Sequence, residues 1–421
     1  HLRAGAPQEA YTTIHTAFAE PAAFESAEVF AVWFALLARI GGRIVGADFE
    51  GLVQYAVNDP DNAEALFHCG YELYEQQLFA EASCALWRAW RLAPTNVMII
   101  SELVVTLEAL GENRRACDVL ASTPQAIIDG DFYLGYLCAF NAVMSGEIRL
   151  FFERVRQLTP TTDEHGFLQR RIERMGLRLQ ALDGICPLDE RDLRGWHYVL
   201  TGGLLSHLSP YGVEAMNGRY GYIQDTESRC RYGLESLASQ LEAIGAQPRQ
   251  ILTPVGFSSR ILAHAASDLL GLPLAPLADE ESGLVVCYDL QTLEIRELEW
   301  LYRRGKERWV FAHASCWTTP PPFTPDLTTL LYQHNRAPWD DHLVLDPETG
   351  MPTERRTARR DAAEIGRLVR DAKAVDPAEI ARDDDGTRRS IAALVGSRPE
   401  LAEPETRSSF WLVGPVRSNR F

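Results

Sequence analysis

Asn62–Asn96 reads NAEALFHCGYELYEQQLFAEASCALWRAWRLAPTN, and its pattern decides the architecture of the amino-terminal half. Small residues (Gly70, Ala82, Ala89) fall where two helices must cross closely. Large ones (Leu66, Phe67, Leu73, Phe79, Leu86, Trp87) fall where a core must be filled. Asn62 is placed to cap the first helix, because its side-chain oxygen can accept from an orphan backbone N–H. Pro94 stops the second helix. The stretch is therefore one helix–turn–helix unit, and such a unit cannot bury its apolar face without neighbours. Pro60 and Pro94 stand 34 residues apart, and the pattern continues beyond Pro94 through Leu103, Leu107, Gly111, Ala116 and Leu120. Asp131–Ser145 and Glu147–Leu158 form a further, poorer pair before Pro160.

Position by position, this stretch resembles the tetratricopeptide repeat. Leu66, Gly70, Phe79, Ala82, Ala89 and Pro94 stand at that family's signature places, with Leu66 where its first Trp is usual. The resemblance implies a helical array over residues 25–182, its last apolar face capped by the amphipathic segment His165–Leu182. In such an array the first helices line a concave groove. Phe67, Tyr71 and Tyr74 would face it with Glu64 and Glu75 beside them, and a protein or peptide segment would be the partner. Packing between helices is the competing role for Phe67 and Tyr74. The Lys/Asn pattern of members that clamp a carboxyl terminus is absent, so that ligand is not expected.

Composition bounds the rest. A chain of 421 residues, 46% hydrophobic, is long enough for two or three globular domains. A net charge of −17 argues against a broad nucleic-acid or anionic-membrane footprint, so neither partner is expected. Lys306 and Lys373 are the only lysines, which excludes a P-loop and leaves few candidates for Schiff-base chemistry. The eight cysteines show no Cys-x-x-Cys pairing, so reduced thiols and a cytoplasmic location are expected. The most apolar run, Val29–Ile40, falls well short of the ~20 residues that span a bilayer.

Residues 1–24 read as a flexible or helical start, 186–350 as an α/β domain, and 351–421 as a charged, solvated helical extension broken at Asp383–Asp385. Within the α/β domain, Trp196–Leu200 is a strand candidate and Thr201–Arg219 a Gly-, Ser- and Pro-rich loop. Ser228–Gly245 is a helix capped by Asp225 or Thr226. Gln250–Val255, Leu272–Leu277, Gly283–Asp289 and Arg308–Ala314 read as strands. Ser258–Leu270, opened by a serine cap, and Thr292–Arg304 read as helices. Pro325-Asp326 is expected to start a short helix ending near His334, and Phe410–Val413 to return as an edge strand. The alternation argues for an open, mostly parallel sheet, so the fold class is α + α/β. Ligands bind such sheets off the carboxyl ends of the strands. Those ends carry Gly256, Ser258, Ser259 and Arg260 after one strand, and Asp289 and Thr292 after another. Both lead into helix N-termini, which favour an anion.

Ile251–Leu274 and Leu284–Ala314 resemble the strand, small-residue loop and helix units of type I phosphoribosyltransferases. The resemblance implies a nucleotide or phosphosugar ligand, with Asp289 on the ribose hydroxyls and Thr292 on the phosphate. No resident cofactor is expected beyond magnesium accompanying such a ligand. The family's motif ends in two acids and a Gly-containing, Thr-rich loop, whereas Asp289 and Thr292 stand alone here. Whether the domain is catalytic is left open. His313 and Cys316, close together after a strand, suggest a nucleophile pair or a metal site, but no third ligand pattern accompanies them. His197 and His207 suit a general base but read first as core or surface histidines, and His264 reads as helix packing. The expected function is that of a cytoplasmic interaction protein, with a phosphoribosyltransferase-like enzyme as the alternative.

Overall fold

The computed structural model describes residues 5–186, 188–206, 219–278, 282–305, 307–345, 351–355, 360–376, 385–397, 406–410 and 414–416. The chain divides into two units, His1–Glu173 and Arg174–Phe421. The first is helical: α1 (Pro7–His15), two 3-10 turns, α2 (Ala27–Ile44), α3 (Ala47–Asn58), α4 (Ala63–Glu75), α5 (Phe79–Leu92), α6 (Val97–Leu110), α7 (Asn113–Ser122), α8 (Gln125–Gly130), α9 (Phe132–Met144), α10 (Ile148–Val155), and α11 (Asp163–Leu182), within which the unit ends.

The same capping chemistry opens three of these helices. Asn62 Oδ1 accepts from the amides of Glu64 and Ala65, Asn96 Oδ1 from those of Met98 and Ile99, and Asp131 Oδ1 from that of Leu134. Gly70 lets α4 and α5 approach closely: a Cβ there would lie 2.5 Å from Leu86 Cγ. Leu66, Leu73, Ala82, Leu86, Ala89, Leu103, Leu107 and Ala116 are fully buried. Phe67, Phe79 and Trp87, expected in the core, are only half-buried. Trp90 takes the inner place instead, edge-on to Trp87 at 5.0 Å, while the Trp87 indole reaches Glu25. Near the amino terminus, Phe18 and Phe24 are buried and stacked at 5.3 Å.

The second unit runs α12 (Leu193–Thr201), β1 (Leu204–Leu205), β2 (Arg219–Gln224), α13 (Glu227–Ala243), β3 (Ile251–Thr253), α14 (Phe257–Leu270), β4 (Leu274–Pro276), β5 (Gly283–Asp289), α15 (Ile295–Tyr302), β6 (Arg308–Cys316), β7 (Leu327–Arg336), the β8–β9 hairpin (His342–Leu345, Pro352–Arg355), α16 (Ala362–Asp371) and α17 (Asp385–Ser397). The main sheet has the order β4-β3-β5-β6-β7, with β1 and β2 both on the far side of β7, and every pairing in it is parallel. β5 is buried along its whole length, as a central parallel strand covered on both faces must be.

Three expectations about individual elements differ from the structure. Trp196–Leu200 belongs to helix α12, capped by Asp192 on the Gly195 amide at 2.9 Å and closed by Gly202 at φ 80°. It is buried all round, its polar residues Arg194, His197 and Thr201 included, so burial does not follow the polarity of the sequence. The segment after Pro325 is not a helix but strand β7, whose Thr328, Thr329, Leu330 and Leu331 are buried on both faces. No serine caps α14: it opens at Phe257 behind Gly256, and Ser258 and Ser259 bond elsewhere.

The carboxyl-terminal segment is not simply a solvated extension, because its two helices pack on the sheet's helices. A Cβ on Gly366 of α16 would lie 3.0 Å from the Ile261 carbonyl oxygen of α14. A Cβ on Gly396 of α17 would lie 2.6 Å from the carbonyl oxygen of Ile244, just past α13. The loop containing His207, Lys306, the start of the Asp383–Asp385 break and Trp411–Val413 lie outside the described residues. Among the described residues no helix is long and apolar enough to cross a membrane.

Candidate functional site

Phe67, Tyr71 and Tyr74 recur at helical spacing on α4 and so share one face. The Phe67 and Tyr71 rings lie 6.3 Å apart and Tyr71 is 40% exposed. Tyr74 is half-buried against Phe79 at 5.2 Å, and Glu64 and Glu75 are exposed on the same helix. The next helices bring residues the repeat pattern did not single out. The Tyr74 hydroxyl is held above its ordinary pKa by burial, and further by the charges of Glu102, Glu108 and Glu75. Tyr133 is pushed up to about 12 by burial, then by Glu108, Tyr136 and Glu102. Three helices, α4, α6 and α9, thus turn phenols and carboxylates toward one another. Glu108 is pushed up to about 7 by burial, although Asn141 Nδ2 donates to it at 2.6 Å. Arg171 stands beside the α9 part of this face, donating to the Tyr136 hydroxyl at 2.8 Å with its guanidinium 4.6 Å from the Phe140 ring centre. The solvent-facing part is apolar and aromatic: Tyr71, Tyr133 and, one turn before Glu102, Met98 at 65% exposure.

In the second unit, the loops after β3 and β5 meet. A Cβ on Gly256 would lie 3.4 Å from the Thr292 carbonyl oxygen and 3.9 Å from both Ser259 Oγ and Thr292 Oγ1. The polar groups expected to hold a phosphate nevertheless have protein partners. Ser259 Oγ accepts from the Tyr288 amide, Ser258 Oγ from the Trp339 indole, and Thr292 Oγ1 donates to the Asp289 carbonyl. Asp289 accepts from the Gln291 amide at 2.9 Å and from the Tyr332 hydroxyl. Burial raises the Asp289 carboxyl pKa despite those two donors. Arg260 is exposed, 5.8 Å over the Phe257 ring. Glu297 accepts from the Val255 amide at 2.9 Å, placing a carboxylate beside the loop where an anion was expected.

A third constellation escaped the sequence altogether. Asp225 follows β2, Cys230 lies in the first turn of α13, and His313 lies on β6. All three are buried. Asp225 Oδ2 is 3.0 Å from His313 Nε2, 3.4 Å from Cys230 Sγ and 2.9 Å from the Tyr288 hydroxyl. Burial would raise the Asp225 pKa, but His313, Arg229 and the Thr226 amide outweigh it and hold it down to about 2. Asp225 was visible only as a cap, and that role goes to Thr226, whose Oγ1 accepts from the Arg229 amide. His313 was paired with Cys316, yet its partner thiol is Cys230, 83 residues away. Cys316 instead meets Thr318 and the Gln333 carbonyl. Only the sheet order joins these residues, and no local spacing encodes it.

No family model matches this chain, and neither a curated protein nor a solved structure matches it.

Proposed function

We propose that the chain is an interaction protein whose helical unit, a tetratricopeptide-like array, holds a protein or peptide segment across the face formed by Phe67, Tyr71, Tyr74, Met98 and Tyr133. The observation that carries this reading is the exposure of Tyr71, Met98 and Tyr133, with Phe67 and Tyr74 half-buried among them, beside Glu75 and Glu102. Exposed rings backed by carboxylates suit a segment with Lys or Arg side chains: the aromatic faces attract the cation and cover its aliphatic stem, and the acids complement its charge. Tyr and Met also supply adaptable apolar contact at modest entropic cost.

A peptide array that varies net charge and aromatic content tests this with the full chain. Retention of basic, apolar-flanked peptides, lost in the Phe67→Ala/Tyr71→Ala double variant, is the expected outcome. Equal retention by both proteins, or enrichment of acidic peptides, would overturn the reading.

The α/β unit supports a second, narrower role as a binder of a small phosphorylated ligand, with a phosphoribosyltransferase-like enzyme as its catalytic form. The observation that favours it is the approach of Gly256 to Thr292 at the sheet's reversal of strand order. The existing bonds of Ser258, Ser259 and Thr292 weigh against an additional anion there. Inorganic phosphate, ribose 5-phosphate and phosphoribosyl diphosphate, with and without magnesium, are the probes. A rise in melting temperature that Asp289→Asn abolishes would establish the role, and a flat response would remove it.

A further inference from the structure

We infer that Asp225, Cys230 and His313 form a buried site for a transition-metal ion of the zinc class. One ligand atom from each residue lies within 4.8 Å of the others. The three edges are 3.0 Å (Oδ2–Nε2), 3.4 Å (Oδ2–Sγ) and 3.8 Å (Sγ–Nε2). A tetrahedral zinc, with bonds of about 2.0–2.1 Å to oxygen and nitrogen and about 2.3 Å to sulfur, separates its ligand atoms by about 3.3–3.6 Å. The triangle therefore fits around one ion with shifts of a few tenths of an ångström.

The hydrogen-bond bookkeeping points the same way. One carboxylate oxygen, Asp225 Oδ2, faces three donors at once: the His313 ring, the Cys230 thiol and the Tyr288 hydroxyl. It offers two lone pairs. A cation bound to Oδ2, the thiolate and Nε2 removes two of those donors and leaves the phenol. The other oxygen, Oδ1, is fixed by the Thr226 amide at 2.9 Å and the Arg229 guanidinium at 3.4 Å, which aims Oδ2 at the thiol and the imidazole. This is the outer-shell support that orients metal ligands. Tyr288, itself held by Asn335 Nδ2 at 2.9 Å, stands one ligand edge from Oδ2, within reach of the fourth corner.

The arrangement is not a nucleophile–base–acid relay. Such a relay uses both ring nitrogens of the histidine, one toward each neighbour, whereas Asp225 and Cys230 both meet Nε2. Nδ1 has no hydrogen-bond partner among the described residues. A thiolate, an imidazole and a single carboxylate select zinc, or cobalt in its place, over magnesium and calcium, which demand oxygen ligands.

The test uses the full chain refolded in the presence of cobalt(II) or zinc(II). The expected result is one equivalent of metal that survives gel filtration. The cobalt form should show a thiolate-to-metal charge-transfer band together with intense tetrahedral visible bands. Cys230→Ala should abolish the charge-transfer band and weaken zinc binding at least tenfold, while Cys84→Ala, in the helical unit, should leave both unchanged. Absence of retained metal would overturn the proposal, as would a cobalt spectrum without the thiolate band. Should Cys230→Ala not fold, the spectrum of the wild-type chain still decides. Because the site lies in the second unit, neither outcome depends on peptide binding by the first.

Discussion

Arg407 and Asp326 form a buried ion pair: Arg407 Nη2 donates to Asp326 Oδ2 at 2.8 Å, with both side chains almost wholly excluded from solvent. Asp326 precedes β7, accepts the Val310 amide of β6 and also pairs with Arg304 at 2.7 Å. Arg407 further donates to the carbonyls of Leu301, Arg303 and Arg308. Arg407 thus ties the end of α15 to the starts of β6 and β7.

Removing Arg407 leaves the buried Asp326 carboxylate with only Arg304 and the Val310 amide. Arg407→Ala is expected to destabilise the second unit by about 1–3 kcal/mol, since a buried carboxylate and several carbonyls lose a donor while Arg304 still compensates the charge. Arg407→Lys should restore little of this, because an ammonium cannot reproduce the planar fork. Urea denaturation of the two variants checks both points, and a Lys variant of wild-type stability would contradict the account.

His197 gives the second unit an acid sensitivity. It is fully buried in α12, its ring nitrogens lack partners among the described residues, and burial pushes its pKa down to about 4. The unfolded chain takes up this proton near pH 6.5 and the folded chain only near pH 4. Its contribution is therefore complete above about pH 6.5 and is lost as pH falls toward 4, by at most about 3 kcal/mol. Subtracting the stability profile of His197→Phe from that of the wild type should reveal this slope between pH 4 and 6.5. Parallel profiles would contradict it.

Glu108 acts in the opposite sense. Burial raises its pKa to about 7 from an ordinary 4.5, so between those values only the folded state holds the proton. The helical unit should lose stability as pH rises through this window, by at most about 3 kcal/mol, with the loss complete above about pH 7. Glu108→Gln, which keeps an oxygen for Asn141, should flatten that slope and raise the melting temperature at pH 8. A variant less stable than wild type at pH 8 would contradict the assignment.

Gly70→Ala tests the close crossing of α4 and α5. The added methyl meets Leu86 Cγ at 2.5 Å and the Ala82 carbonyl oxygen at 3.3 Å. The neighbouring backbone oxygen limits the room to adjust, so a loss of about 1–3 kcal/mol is expected, read as a lowered urea midpoint. A midpoint at or above wild type would mean that the crossing is looser than described.

The chain's own signals reached unevenly across this architecture. Asn62, Gly70 and Pro94 act within their own helix pair, so the boundaries of α4 and α5 could be read locally. β5 and β6 were legible as apolar runs between turn residues. β7 and α12 were not: α12 and the first six residues of β7 are buried whatever their polarity, Arg194, His197, Thr328 and Thr329 among them, so their polar residues mark no solvent-facing side. At the candidate sites, Phe67, Tyr71 and Tyr74 followed from helical spacing on one helix. Glu102, Glu108 and Tyr133 came into view only when α6 and α9 were set beside α4. The Asp225–Cys230–His313 cluster depends on β2, α13 and β6 meeting in the fold, which no single segment specifies.

The most direct measurement is the dissociation constant of a basic, apolar-flanked peptide for the full chain and for Tyr71→Ala, by titration calorimetry. Tyr71 is exposed at 40% and lies outside the core, so the substitution should leave folding intact. A central aromatic anchor is expected to contribute about 1.4 kcal/mol or more, a tenfold or greater weakening in the variant. Binding of equal strength by the two proteins, with both folded, would contradict the assignment of this face as the partner site.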